Sequence, residues 1–296
     1  MVRHLVEKRF PLDLKPSLDQ VWQLYNDAKA AHWDPARDLP WAQLDASALP
    51  AEVREAAALV WSHRVWLGYG HLAATPALLV RFCLELRREA DPKYFLSVRG
   101  TEEALHVDAC VRFANRLGGY VAQPPDAAMV RLFDRATYAA ALDGDVPLEA
   151  LVAADMVLRL SIELGQLRAA AAASSDPVAA AVLERLAADK ARHLAFGHLY
   201  LEARRDRIDA AVGEAAASRA SQLLADELAG LTVPALSPAA PALAAAYART
   251  AEAGLGAAPA EAALVAFREA VADARARLAA VGIGLPEARH EALGPL

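Results

Sequence analysis

Five residues in this chain have the types and the spacing to hold a metal ion or to move protons. Glu103 and His106 stand three apart in Arg99-Gly-Thr-Glu-Glu-Ala-Leu-His106, and Lys190 and His193 stand three apart in Asp189-Lys-Ala-Arg-His193. Residues three apart share one face of a helix, so each pair points into a single space. Glu163 lies in the apolar turn Leu160-Ser-Ile-Glu-Leu-Gly165, where a charge needs a reason to be buried. Glu163 and Lys190 lie at matching distances on either side of Asp176-Pro177, so an antiparallel hairpin turning there brings them level. Glu103, His106, Glu163 and His193 then offer two carboxylates and two imidazoles from three helices, a donor set suited to iron, manganese or zinc.

The elements that must carry these residues are helical. The chain has 296 residues, and 56% are hydrophobic but only 6% aromatic, with alanine supplying much of the apolar content. Alanine is the strongest helix former and a poor strand former. No run of alternating β-branched residues argues for a sheet, so the expected fold class is all-α. Ser17 is placed to cap a first helix running to about His32, and prolines 35, 40 and 50 mark a loop. A long helix runs from Ala51 toward Ala90, with Pro76 expected to kink or divide it. Asp91-Pro92 opens the helix of Glu103 and His106, which ends at Gly118-Gly119. Further helices are expected at about 125–142 and from Pro147 to Ala173. Asp176-Pro177 is a cap-and-start signal for the helix of Lys190 and His193. Asp91-Pro92 and Asp176-Pro177 sit at similar distances before His106 and His193, a weak internal repeat of two helical hairpins.

The expected division is a lead-in and helix over 1–50, a four-helix core over 51–207 and a C-terminal helical extension over 208–296 that braces it without chemistry of its own. A formal net charge of −6 and a pI near 5.8 give no support for nucleic-acid binding. Arg204, Arg205 and Arg207 read as a solvated helix end. Cys83 and Cys110 are too few for a disulfide framework. The first ten residues are charged throughout and lack the apolar core of a signal peptide, and charged residues interrupt the alanine-rich runs. A soluble cytoplasmic protein with no membrane partner is the expectation.

On these motifs the chain resembles the ferritin-like di-iron carboxylate superfamily, closest to its ribonucleotide-reductase-like and arylamine N-oxygenase-like branches. The resemblance covers about residues 51–207 and is strongest over Asp189-Lys-Ala-Arg-His-Leu-Ala-Phe-Gly197, which is similar to the family's Asp-Glu-x-Arg-His motif with Lys190 in place of the glutamate. It implies a ferritin-like four-helix bundle with additional N- and C-terminal helices. It also implies that Glu103, His106, Glu163 and His193 hold one or two iron ions, with manganese as an option. By the same analogy Glu102 and Asp189 orient the opposing histidines and Arg192 compensates their charge. The activity implied is oxidation of a small organic substrate with O2 and an unidentified electron donor, with homodimer formation left open. The alternative is an inactive bundle that binds or braces without a di-iron centre.

The departures from the family bear on that choice. The first ligand helix should supply a glutamate between Ala73 and Val80, and none is there. His71 is near enough to substitute for it, although a histidine beside Gly-Tyr-Gly reads more simply as structural. At Lys190 a carboxylate has become a cation. Lys190 then pairs with Glu163 or Glu103 in a metal-poor core, acts as a neutral nucleophile or ligand, or carries a carbamate that restores the carboxylate. Trp61, Trp66 and Tyr69 are expected to pack the core or to line an apolar pocket.

Overall fold

In a computed structural model of the chain, residues 16–86, 88–134 and 139–296 are described. The expected irregular lead-in at 1–15 lies outside them. The helices in chain order are α1 (Asp19–Ala30), α2 (Ala51–Glu85), α3 (Asp91–Leu117), α4 (Ala127–Phe133), α5 (Ala139–Leu142), α6 (Leu148–Leu151), α7 (Arg159–Ala173), α8 (Pro177–Glu202), α9 (Ala210–Leu228), α10 (Pro241–Glu252) and α11 (Ala260–Ala280). A π-helical segment, Val152–Leu158, joins α6 to α7 without leaving helical backbone angles, so 148–173 is one continuous rod. A two-residue antiparallel pairing of Arg289–His290 with Gly294–Pro295 ends the chain. The fold is all-α around a four-helix core.

Helix α2 packs along α3, α7 packs along α8, and α1 lies across α3 and α8. Turn chemistry sets these hairpins. Asp176 accepts a hydrogen bond from the Ala179 amide, and Pro177 occupies the first turn of α8, where a missing N–H costs nothing. Gly119 takes a φ of +113° just after α3, a conformation a side chain would resist.

Of the two outcomes expected at Pro76, a kink or a division, the division is absent: α2 runs through it from Ala51 to Glu85. Two local expectations are corrected. Ser17 does not cap α1; its own amide and hydroxyl, with the Leu18 amide, are held by the carboxylate of Asp91 at the start of α3. Arg204 is buried and ion-paired with Glu89 rather than solvated. By length and composition α2 could cross a bilayer, yet here it is a core helix with His63, His71 and Arg81 buried in the bundle.

The C-terminal helices pack closely on the core: α10 lies on α2, α11 on α7, and α9 on α6 and the π-helical segment. Glycine permits one of the tightest approaches between core helices. A Cβ at Gly197 of α8 would lie 2.8 Å from the Met156 carbonyl oxygen in the π-helical segment.

Candidate functional site

The helices bring Glu103 and His106 of α3, Glu163 of α7, and Lys190 and His193 of α8 into one buried region. His71 of α2 joins them. The structure therefore settles where Lys190 points. Its Nζ lies 2.8 Å from Glu163 Oε2 and 2.7 Å from His71 Nδ1, and His71 Nε2 lies 2.9 Å from Glu163 Oε1. An ammonium only donates, so His71 accepts at Nδ1 and carries its proton on Nε2, which donates to Glu163. The three side chains close a ring with its donors and acceptors matched.

Glu103 is held just as fully. Arg99 Nε donates to its Oε1 at 2.9 Å, and Thr75 Oγ1 donates to its Oε2 at 2.6 Å. Thr75 is thus the residue that the 73–80 window contributes, in place of a carboxylate. Burial would raise the pKa of Glu103 and Glu163, but their partners outweigh it. Arg99, His71 and Lys190 hold Glu103 below its ordinary value, and His71 with Lys190 holds Glu163 far below it.

The two α3 and α8 histidines are oriented by carboxylates from each other's helix. His106 Nε2 donates to Asp189 Oδ2 at 2.8 Å, and the same oxygen accepts the Trp33 indole N–H at 3.0 Å. His193 Nε2 lies 2.7 Å from Glu102 Oε2. Arg192 donates to Glu102 Oε1 at 2.5 Å and to Asp189, joining both carboxylates. Burial lowers the pKa of all three imidazoles, so they are neutral near pH 7. With Nε2 spent on carboxylates, His106 and His193 keep their Nδ1 lone pairs, and Nδ1 of His193 is buried without a partner.

Whether these residues fit a metal centre follows from that census. The imidazole half of the donor set is available. The carboxylate half is committed: every oxygen of Glu103 and Glu163 has a protein donor, and Lys190 occupies the approach to Glu163. Among the described residues no three histidine, cysteine, aspartate or glutamate side chains converge as a metal cage. The carboxylates Glu102, Glu103, Glu163 and Asp189 are faced by Lys190, Arg99 and Arg192, and burial pushes Glu102 up to about 7, so the cluster is close to neutral as it stands. As arranged, the residues do not fit a two-metal centre.

Beside the cluster lies a cavity of about 120 Å³, whose polar end carries His71, Glu103, His106, Glu163 and Lys190. Its other walls are mainly apolar, and the segment from Thr232 to Ala263 supplies many of them. The C-terminal extension, expected only to brace the core, closes this cavity; its alanine-rich helices carry no sequence signal for that role. Arg64 lines the cavity too, stacked over Trp61, with Nη1 unpartnered. Cys110 is a buried wall residue whose thiol burial pushes up to about 12, a small apolar filler at neutral pH. Trp61 stacks on Phe113, and Trp66 bonds to the Val121 carbonyl, but Tyr69 is 68% exposed and packs no core.

The same arrangement of helices occurs in solved proteins. A variant of the R2-like ligand-binding oxidase with an anaerobically reconstituted Mn/Fe cofactor superposes with a TM-score of 0.68 over 87% of this chain and 92% of its own, at 17% identity. The fold is that of the R2-like, ferritin-like oxidases. A second structure of that oxidase, a variant with an aerobically reconstituted Fe/Fe cofactor, gives 0.65 at 17% identity over 87% and 92%. Iron, with manganese as an option, was what the resemblance implied, and these neighbours carry Mn/Fe or Fe/Fe cofactors. No protein-family model matches the sequence, and no curated protein matches it.

Proposed function

We propose that this protein binds a small, largely apolar organic molecule bearing an acceptor oxygen, in the cavity between the four-helix core and the C-terminal helices. The observation that carries this reading is the cavity itself, apolar along its walls and ending on a matched acid–base cluster. Its volume is of the order of the roughly 150 Å³ apolar cavity known to admit benzene. The acceptor oxygen has two groups to meet. Arg64 has a free Nη1, and the Lys190 ammonium has three N–H groups, of which Glu163 and His71 take two. Lys190 thus offers an N–H donor at the cavity wall.

The test uses toluene and benzoate as probes, read by ligand-observed NMR and by the shift in melting temperature. Benzoate is expected to bind more tightly than toluene, by about tenfold for one charge-assisted pair, and Arg64→Met is expected to abolish that preference while toluene binding persists. No saturable binding of either probe would overturn the reading.

A second reading, iron- or manganese-dependent oxidation of a small molecule with O2 and an external electron donor, is favoured by one feature. The unpartnered Nδ1 of His193 is the atom that a metal would take, with Glu103, His106 and Glu163 completing the set. It requires Glu163 to leave Lys190 and His71. Metal content separates the two readings.

A further inference from the structure

We propose that the Lys190 ammonium, with the His71 imidazole, takes the place of a metal ion in this bundle, so that the core is built to fold and stay closed without one. In a metal-binding bundle of this kind the inward carboxylates repel one another until a cation joins them. Here the cation is part of the chain. Lys190 Nζ sits within hydrogen-bond distance of Glu163 and of His71, and His71 reaches the other oxygen of Glu163. Arg99 and Thr75 satisfy both oxygens of Glu103. A divalent ion entering this space would face an ammonium at close range and would have to break four hydrogen bonds to reach two carboxylates.

The outer frame does not depend on a metal. The hydrogen bonds of His106 to Asp189, of His193 to Glu102 and of the Arg192 bridge between them form without any ion, and Nδ1 of His193 is the one imidazole atom of this frame left buried without a partner. Two changes therefore separate this site from a metal-binding one. His71 and Lys190 lie on α2 and α8, on either side of Glu163, and are the positions at which carboxylates would restore a four-carboxylate, two-histidine set. This inference goes beyond the ligand-binding reading and is read separately, by metal content rather than by probe uptake.

The experiment compares the full-length protein with His71→Glu/Lys190→Glu and with Lys190→Met, each expressed with iron and manganese supplied. Metal per chain is measured by mass spectrometry after dialysis against a chelator and after reloading. The parent protein is expected to hold below about 0.1 metal per chain and to show no change in melting temperature on adding Mn(II). The double variant is expected to take up about one to two metals per chain and to melt higher when loaded. Near-stoichiometric metal in the parent, lost in His193→Ala, would overturn the proposal. So would a double variant that is folded by circular dichroism and takes up no metal. If the double variant does not fold, Lys190→Met decides: it frees one oxygen of Glu163, and measurable Mn(II) uptake supports the proposal while none overturns it.

Discussion

Arg192 shows how a single side chain sets the geometry of the site. One guanidinium holds Glu102 and Asp189, and these carboxylates fix the rings of His193 and His106. Removing one partner from a buried ion pair costs more than the pair contributed, because the remaining charge stays desolvated. Arg192→Met is accordingly expected to lose about 2–4 kcal/mol in urea unfolding, with Arg192→Lys recovering less than half, since a single ammonium does not span both carboxylates. Equal stability of the Met variant and the parent would contradict this account. Glu103 with His106, and Lys190 with His193, were legible in the sequence because three-residue spacing on a helix fixes which side chains share a face. Glu102, Asp189 and Arg192 were placed only by what the family resemblance implied. His71 was weakly legible because its partner, Lys190, lies 119 residues away and nothing within one turn of His71 marks it as more than a packing residue. The missing glutamate was sought from Ala73 onward; what the window supplies is the hydroxyl of Thr75, and the ionisable group comes from two residues before it.

At the scale of elements, the contact between α8 and the π-helical segment decides whether the cluster is held in register. Gly197 is buried against Met156, and the π-helical segment also carries Asp155, which pairs with Arg159 and Arg219. Gly197→Ala would gain about 1 kcal/mol in helix propensity but would place a methyl carbon 2.8 Å from a backbone oxygen that cannot swing away. The clash is the larger effect, and a net loss of about 1–3 kcal/mol is expected by chemical denaturation. A variant as stable as the parent would mean that the two helices can separate freely. Sequence reading found helices because caps, prolines and glycines are local signals: Asp176-Pro177 and Gly118-Gly119 act where expected. It did not find what depends on distant partners. Pro76 reads as a kink or a break, and which of the two is avoided depends on distant packing: α2 lies against both α3 and α10 and continues through it. Ser17 reads as a cap, yet its amide and hydroxyl are held by Asp91 from another helix. The wall that the C-terminal helices lend to the cavity is a tertiary property of small residues and has no local signature.

For the whole molecule, the docking of the C-terminal helices rests partly on buried groups that titrate, so stability should be bounded in pH on both sides. His63 of α2 donates to the Leu231 carbonyl and accepts from the Tyr247 hydroxyl, and burial drives its pKa down to about 3. Between about 6.5 and 3 the unfolded imidazole binds a proton that the folded one refuses, so stability falls as pH drops through that window. Glu227 of α9 acts in the opposite sense. It is fully buried, and burial pushes its carboxyl up to about 7 against the pull of Arg159 and of Thr232. Above 4.5 the unfolded carboxyl releases its proton while the folded one keeps it until about 7, so rising pH draws the chain toward the unfolded state, and the loss is complete above 7. Glu227→Gln keeps the shape and removes the titration. Relative to the parent, its stability is expected to rise by about 3 kcal/mol between pH 4.5 and pH 8, the free-energy equivalent of that displacement in pKa. Urea unfolding of both proteins across this range is the measurement. A constant difference between them would show that Glu227 ionises in the folded state as readily as in water, with the C-terminal helices opening around it.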